Sequence, residues 1–267
     1  MKKLLAGLGL ISLTLVAAAS SIRPQVARSP ETARTPVVVE LFTSEGCSSC
    51  PPADALLARL SDARISENAQ VIALEEHVDY WDNLGWVDPF SSADWTSRQW
   101  VYAGTLGNRN AYTPQMVVDG MTEFVGNQPE KARDAILKAA SKMKTPVSLM
   151  PGSSNGTGKE NISVKVGKLE GSTKSDPAEV WLAITETGLH SSVKRGENAG
   201  EDLHHAAIVR SLRKVGEAKG DGETSFMGDA SVPLKKEWKR ENLKAVLFVQ
   251  EKKSRRILGA AEIRIPE

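Results

Sequence analysis

Cys47 and Cys50 are the two cysteines of this 267-residue chain, and two serines separate them. They follow an apolar, β-branched run at residues 37–42 and precede a segment with helical spacing at residues 52–60. A dithiol at such a strand-to-helix corner suits thiol–disulfide exchange, because the partial positive charge at a helix N-terminus favours a thiolate. We predict that Cys47 is the more exposed, nucleophilic thiol and that Cys50 resolves the mixed disulfide that Cys47 forms.

The cysteine pair also has two other interpretations. A disulfide between the two would close a loop of four residues, which restricts the unfolded chain little, so a purely structural role explains the pair poorly. A metal site is the other alternative, in which His77 would join Cys47 and Cys50 as ligands of copper or zinc. A hydrogen-bonded structural role is the commoner outcome for such a histidine. We favour the redox interpretation and expect no resident metal or other cofactor.

The N-terminus has the pattern of a secretory signal peptide. Lys2 and Lys3 precede an apolar run at residues 4–16, and small residues follow it. The run is shorter than the ~20 apolar residues that a membrane-spanning helix prefers, although an uncleaved anchor is the alternative. We predict that residues 1–19 are removed, and that the mature protein is periplasmic or secreted with no membrane association. Disulfides form and persist in those compartments.

The composition narrows the choice of partners. Lysine and arginine number 34 against 33 acidic residues, and they are scattered along the chain, which argues against binding to nucleic acid. An apolar fraction of 40% and a charged fraction of 25% are typical of a globular protein. The chain holds no second dithiol to regenerate the first. We therefore expect protein thiols or disulfides and an external redox partner as its partners.

The predicted elements place the dithiol between two strands. A second apolar run at residues 71–74 follows the predicted helix, and such a strand–helix–strand crossover implies parallel strands. Further along, Asp119-Gly120 predicts a hairpin turn, and residues 128–142 have helical spacing.

An aromatic and acidic segment lies between the second strand and the hairpin. Residues 79–90 contain glycine and proline and predict a loop, and a helix is predicted from Ser92 to about Leu106. Four of the six tryptophans fall between Trp81 and Trp100. The favoured interpretation is that they cover a small satellite core; the alternative is that some line a groove beside the dithiol. Three aspartates here are expected to serve turns and caps: Asp82, Asp88 and Asp94.

The second half of the chain has a different pattern. Helical spacing is sparse after residue 145, and short alternating runs such as residues 261–265 predict strands. We predict a mostly antiparallel, β-sandwich-like domain over residues 145–267. His204 and His205 fall at the start of a predicted strand in this half, and we expect them to be exposed or structurally paired, with metal ligation as the less favoured alternative.

The order strand, dithiol, helix, strand, Thr113-Pro114, hairpin and helix resembles the thioredoxin superfamily. The resemblance implies an α/β domain over residues 36–144, with a central mixed sheet flanked by helices, after a linker at residues 20–35. It also implies a cis proline at Pro114 that faces the dithiol. The backbone of Thr113 would then pair with an extended peptide substrate.

The same resemblance implies a buried acid ahead of the dithiol. Glu40 is the candidate, since burial would raise its pKa and allow it to accept the proton of Cys50. Glu40 departs from the superfamily pattern in being a glutamate and in lying one residue further from the dithiol. A glutamate exposed at the strand end is the equal alternative.

Three segments carry a closer likeness: residues 39–54, 77–82 and 112–120 are similar to bacterial exported proteins grouped as domain of unknown function 1223. That resemblance implies a fold and a location but no substrate. The function predicted from the sequence is an exported thiol–disulfide oxidoreductase that acts through Cys47 and Cys50. The alternatives are a periplasmic copper-binding accessory protein that uses Cys47, Cys50 and His77, and a non-catalytic interaction module.

Overall fold

The computed structural model describes residues 34–62, 68–108, 110–152, 158–172, 175–220 and 222–266. The predicted signal peptide and most of the predicted linker lie outside these ranges. The described residues form a mixed α/β structure with one large mixed sheet and few helices. Among them, no helix has the length and apolar character needed to cross a membrane.

The first half of the described chain alternates strands and helices. Its elements are β1 (Thr35–Thr43), α1 (Pro51–Asp62), β2 (Ala69–His77), α2 (Ala93–Leu106), β3 (Gln115–Val118), β4 (Thr122–Val125) and α3 (Pro129–Ala140). The second half is built almost entirely of strands. These are β5 (Val147–Pro151), β6 (Lys159–Gly167), β7 (Ala178–Glu186), β8 (Leu189–Ser192), β9 (Asp202–His205), β10 (Ile208–Ala218), β11 (Thr224–Pro233), β12 (Leu243–Glu251) and β13 (Ile257–Arg264), with a short 3₁₀ helix at Arg240–Asn242.

The pairing around β1 is as the sequence predicts. β1 and β2 run parallel, and α1 forms the crossover between them. β3 pairs antiparallel with β1 and with β4, so β3 and β4 form the predicted hairpin. Asp119 and Gly120 turn the chain with positive φ angles of 49° and 69°. A Cβ on Gly120 would lie 1.9 Å from the carbonyl oxygen of Arg255, so the turn admits only glycine there.

One sheet takes strands from both halves of the chain. Its order is β13-β12-β7-β10-β2-β1-β3-β4, and β10 joins β2 in a parallel pair at Ile208 and Glu75. The C-terminal strands are mostly antiparallel, as predicted. The predicted division at residue 145 does not coincide with a break in the sheet. A three-stranded sheet, β11-β6-β5, packs through an apolar core against β7 and β12, and β8 and β9 form a separate ribbon.

The two faces of the large sheet differ in their neighbours. Val37, Val39 and Leu41 of β1 pack with α1 and α3, whereas Val38 faces the core that contains Trp95 of α2. Side chains alternate between faces along a strand. The same alternation in β2 directs Glu75 and His77 toward the α1 face and Glu76 toward the α2 face. The C-terminal end of β2 therefore places ionisable side chains on both faces of the sheet.

Candidate functional site

The two cysteines form a disulfide at the start of α1, with Cα atoms 5.4 Å apart. The backbone N–H of Cys50 donates to the carbonyl of Cys47 at 3.1 Å. The N–H groups of Ala53 and Asp54 donate to the carbonyl of Cys50, which begins the helical hydrogen bonding of α1. The dithiol is thus part of the helix N-terminus, where the helix dipole stabilises a thiolate.

Both sulfurs are covered in this disulfide form. Cys47 and Cys50 are 0% exposed, so the expectation that Cys47 is the more exposed thiol is wrong here. Ser48 and Ser49 between them are exposed. The backbone N–H of Ser48 donates to Glu197 Oε2 at 3.0 Å, a contact 149 residues along the chain. A reactant therefore reaches the sulfurs only when the covering residues move.

Residues 193–200, which lie between β8 and β9 and which we call the 193–200 loop, contact the backbone of the dithiol turn. Asn198 is buried, and its Nδ2 donates to the carbonyl of Glu45 at 2.8 Å and to that of Cys47 at 3.0 Å. Together with Glu197, Asn198 fastens this loop to the turn that carries the dithiol. Nothing in the spacing of the sequence indicates this contact, because it joins two distant and irregular segments.

Trp81 joins the dithiol turn to the proline loop. The Thr113–Pro114 peptide bond is cis, as predicted. The indole Nε1 of Trp81 donates to Thr113 Oγ1 at 2.8 Å. A Cβ on Gly46, the residue before Cys47, would lie 3.1 Å from the Cβ of Trp81. Trp81 also packs against a small apolar cluster of Phe42, Val78, Tyr102 and Val117, so it covers a small core, as expected, and lies beside the dithiol turn as well.

Pro114 also lies close to the start of α1. A Cβ on Gly126 would be 3.3 Å from the Cβ of Pro114 and 3.2 Å from the Cβ of Ala53. Ala53 is three residues after Cys50, in the first turn of the helix. Glycine at position 126 therefore permits the close approach of the proline loop to the dithiol helix. The peptide-binding role of Thr113 and Pro114 stays a prediction.

Glu40 is buried, but its partners are remote from the dithiol helix. Its Oε2 accepts a hydrogen bond of 2.6 Å from Arg98 Nε, and its Oε1 accepts one from the hydroxyl of Tyr102. Arg98 and Tyr102 belong to α2, on the sheet face opposite α1. This placement contradicts the prediction that Glu40 accepts the proton of Cys50. Its burial also contradicts the alternative of an exposed strand-end residue.

The buried acid on the dithiol helix is Asp54. It lies one helical turn after Cys50, and its Oδ1 accepts a hydrogen bond of 2.6 Å from Thr43 Oγ1. Burial, with a further contribution from the negative charge of Glu75, raises the pKa of Asp54 to about 7. An acid in the first turn of a helix is common for reasons of the helix dipole, which is why the sequence did not single this residue out.

A group of buried ionisable residues lies at the end of β2, and we call it the histidine cluster. Its members are Glu45, Glu75, His77, Asp88 and His205, all of them buried. His77 Nδ1 lies 2.7 Å from Asp88 Oδ2, and His77 Nε2 lies 3.3 Å from Glu75 Oε1. His77 is therefore a structurally bonded histidine, and Asp88 is more than the turn residue that was expected.

His205 meets the same carboxylate from the second half of the chain. Its Nδ1 lies 2.6 Å from Glu75 Oε1, and its Nε2 lies 3.1 Å from Glu45 Oε1. The rings of His77 and His205 are edge to face, with centroids 4.7 Å apart. His205 is therefore buried and structurally paired, which is one of the two outcomes expected for it.

The charges in the histidine cluster reinforce one another. Burial opposes a charge on His77, but Asp88 raises its pKa well above the usual value. Burial likewise opposes a charge on His205, but Glu75 raises its pKa to about 9. In return, and against the effect of burial, His205 lowers the pKa of Glu75 and His77 lowers that of Asp88. Imidazolium and carboxylate groups thus alternate through the cluster.

Glu45 connects the histidine cluster to the dithiol. It lies two residues before Cys47, and its carbonyl shares the amide of Asn198 with the carbonyl of Cys47. Its N–H donates to Asp88 Oδ2 at 2.8 Å, and its Oε2 accepts a hydrogen bond of 2.8 Å from Trp86 Nε1. One residue therefore links the covering loop, the sulfur-bearing turn and the buried charges.

The alternative ligand set of Cys47, Cys50 and His77 is not assembled. The two sulfurs are bonded to each other, and both ring nitrogens of His77 face carboxylates. Over the part of the chain that the structure describes, the group with suitable metal-ligating atoms is Glu75, His77 and His205. Its three ligand atoms lie within 4.8 Å of one another.

Comparison with known proteins gives a family and a fold. Residues 38–250 match the family described as "Protein of unknown function (DUF1223)". None of the curated proteins matches the chain. A crystal structure of a protein from Agrobacterium tumefaciens is 27% identical with a TM-score of 0.64, and the alignment covers 88% of this chain and 96% of that one.

A second solved structure is less similar. It is a domain of the outer membrane lipoprotein Omp28 from Porphyromonas gingivalis, 18% identical with a TM-score of 0.29. The alignment covers 46% of this chain and 88% of that domain.

Proposed function

The chain belongs to the family described as protein of unknown function (DUF1223), and we propose that it is an exported thiol–disulfide oxidoreductase. In the reduced protein, the Cys47 thiolate attacks a disulfide of a partner protein. One sulfur of that disulfide bonds to Cys47, and the other leaves as a thiolate. Cys50 then attacks Cys47, which closes the Cys47–Cys50 disulfide and releases the partner with both of its thiols reduced. The reverse sequence oxidises a partner dithiol.

One observation supports this proposal most strongly: the disulfide immediately precedes α1, whose first turn lies close to the Thr113–Pro114 loop. Trp81 hydrogen-bonds to Thr113 of the loop, and the missing side chain at Gly126 lets Pro114 approach Ala53 of the helix. A disulfide in a four-residue loop contributes little to stability, so a structural role explains this arrangement poorly. The parallel β1–β2 pair and the β3–β4 hairpin after the proline also support the thioredoxin-like arrangement that the resemblance implies.

Access to the sulfurs requires the 193–200 loop to open. In the disulfide form, hydrogen bonds from Asn198 and to Glu197 close the loop over the dithiol turn. Such bonds contribute about 1 kcal/mol each, so an arriving partner can replace them at modest cost. The loop would then limit which proteins reach the dithiol. An extracytoplasmic location fits this chemistry, because a disulfide persists there.

The test is a trapping experiment with the mature protein. Cys50→Ala retains the nucleophile but lacks the resolving thiol, so it should accumulate mixed disulfides with exported proteins. Cys47→Ala should accumulate none, and Arg133→Met, at an exposed position of α3, should turn over a dithiol substrate like the wild type. Mixed disulfides that form equally with Cys47→Ala would contradict the proposal. A phenotype that survives loss of both cysteines would favour the interaction module instead.

A further inference from the structure

Three buried side chains converge on one point at the end of the parallel strands. Glu75 and His77 come from β2 and His205 from β9, and all three are buried. The nitrogens His77 Nε2 and His205 Nδ1 lie 3.3 Å and 2.6 Å from the same oxygen, Glu75 Oε1. Two ligands of a tetrahedral zinc ion, each bound at 2.0–2.1 Å, are about 3.3 Å apart. The two nitrogen–oxygen distances are near or below that spacing, and all three ligand atoms lie within 4.8 Å of one another.

The second contacts of these ligands follow the pattern of metal centres. A metal-bound histidine usually donates its other ring N–H to a carboxylate or a carbonyl, which fixes its tautomer and orientation. His77 has Asp88 on its Nδ1, and His205 has Glu45 on its Nε2. Glu75 is held as well, because its Oε2 accepts a hydrogen bond of 2.9 Å from the backbone N–H of Ala206.

The choice of histidine distinguishes this cluster from the other buried charges. Elsewhere in the described chain, buried carboxylates pair with arginine or lysine, as Glu40 does with Arg98 and Asp119 with Lys144, and the ammonium group of lysine offers only donors. Arginine has no lone pair to offer a metal, whereas a neutral imidazole is a common metal ligand. A network that served only to neutralise buried carboxylates would not need histidines.

We propose that Glu75, His77 and His205 form a binding site for one divalent transition-metal ion of the zinc class. Two imidazole nitrogens and one carboxylate form the ligand set of several zinc centres, and Asp88 and Glu45 would orient the two rings. The site contains no cysteine. It is therefore independent of the dithiol proposal, although Glu45 places it next to the dithiol turn.

The remaining histidines of the chain provide an internal control. His190 and His204 stack with centroids 5.6 Å apart beside Asp202, and all three side chains are exposed. This second pair has the same residue types as the proposed site but has neither the burial nor the outer carboxylates. The chain has four histidines in all, so each belongs to one of the two pairs.

The experiment uses the mature protein with both cysteines replaced by serine, so that sulfur cannot bind the ion. Zn²⁺ is titrated by calorimetry and Co²⁺ by visible absorption. We expect one equivalent to bind, with the intense d–d absorption of tetrahedral Co²⁺. His205→Gln should weaken Zn²⁺ binding at least 100-fold, and the neighbouring exposed His204→Gln should leave it unchanged.

A milder variant guards against a folding defect in His205→Gln. Asp88→Asn retains a hydrogen-bonding side chain at His77 and should weaken binding about 10- to 100-fold, the usual effect of losing an outer-shell carboxylate. Zn²⁺ should also raise the thermal unfolding midpoint of the parent protein but not that of His205→Gln. Absence of saturable one-to-one binding in the parent protein would overturn the proposal, and so would equal affinity in His205→Gln and His204→Gln. Thiol exchange by the wild type is measured separately and does not depend on this result.

Discussion

Glu75 and Glu76 are adjacent in β2, yet they enter two different buried polar clusters. Glu75 belongs to the histidine cluster on the α1 face of the sheet. Glu76 lies on the α2 face near Glu40 and Arg98, with 3.4 Å between Arg98 Nε and Glu76 Oε1. Arg98 also donates to Gln250 of β12, so this arginine cluster joins α2 to the central and C-terminal strands.

The difference between the clusters lies in their cations. The guanidinium group of Arg98 stays charged and offers only hydrogen-bond donors. It therefore neither binds a metal nor loses a proton to become neutral. The imidazoles of His77 and His205 can do both. The arginine cluster is therefore suited to holding the sheet and α2 together. The histidine cluster is suited to metal binding or proton transfer. One of its members, Glu45, lies two residues before Cys47.

The strongest test of this contrast is Arg98→Met. It leaves the carboxylate of Glu40 buried without its cation, and breaking a buried ion pair in this way costs about 3–5 kcal/mol. We expect urea denaturation to show a free energy of unfolding that is lower by this amount. The affinity of the histidine cluster for Zn²⁺, on the opposite face of the sheet, should stay unchanged in the folded variant. Arg133→Met, on the exposed surface of α3, is the matched control. Equal stability of the two variants would remove the structural role assigned to the arginine cluster.

The second test concerns Asp54 on the dithiol helix. Its pKa rises from 3.8 to about 7 on folding, so the folded state holds the proton more tightly than the unfolded chain does. Stability is therefore lost as the pH rises from about 4 to about 7. Asp54→Asn cannot ionise, and its free energy of unfolding should exceed that of the wild type by roughly 4 kcal/mol more at pH 8 than at pH 4.

Asp54→Asn should also slow the resolution of a mixed disulfide, because the Asp54 carboxylate, one helical turn after Cys50, is a candidate acceptor for the proton of Cys50. Stopped-flow measurement of that step at pH 7 should show a rate at least tenfold lower. Asp62→Asn, exposed at the end of the same helix, is the control for both measurements. A pH profile of stability shared by Asp54→Asn and the wild type would show that Asp54 is not the titrating group.

The smallest expected effect is at the 193–200 loop. Asn198→Ala removes two hydrogen bonds to backbone carbonyls, worth about 1 kcal/mol each. We expect dithiothreitol to reduce the Cys47–Cys50 disulfide about tenfold faster in this variant, because local opening becomes easier. Lys194→Ala, exposed in the same loop, should react like the wild type. Identical rates in Asn198→Ala and the wild type would mean that the loop does not limit access.

The sequence predicted the local features of the site and missed the long-range ones. The strand–helix–strand unit and the turn at Asp119 follow from patterns within a few residues, and the cis Pro114 follows from the resemblance. His205 lies 128 residues after His77, and the two meet only because β10 pairs with β2 at Ile208 and Glu75. No spacing rule for a single sequence gives that pairing.

The two wrong expectations have physical causes. The resemblance predicts that Glu40 is the base, but the alternation of side chains along β1 directs Glu40 toward α2. The same rule applied to β2 would have placed Glu75 and His77 on one face, and it was the one available signal for the histidine cluster. The residues around Cys47 give no sign that it is covered, because the covering loop belongs to the β8–β9 ribbon, which is distant in the sequence.

The most direct test of the proposed function is the redox equilibrium of the Cys47–Cys50 pair. The mature protein is equilibrated with mixtures of reduced and oxidised glutathione, the thiols are alkylated, and the reduced fraction is measured by mass spectrometry. An exchanging dithiol should titrate reversibly as a two-electron couple, at a potential above about −300 mV. A disulfide that stays oxidised at every ratio, even with Asn198→Ala, would show a structural bond and contradict the proposed function.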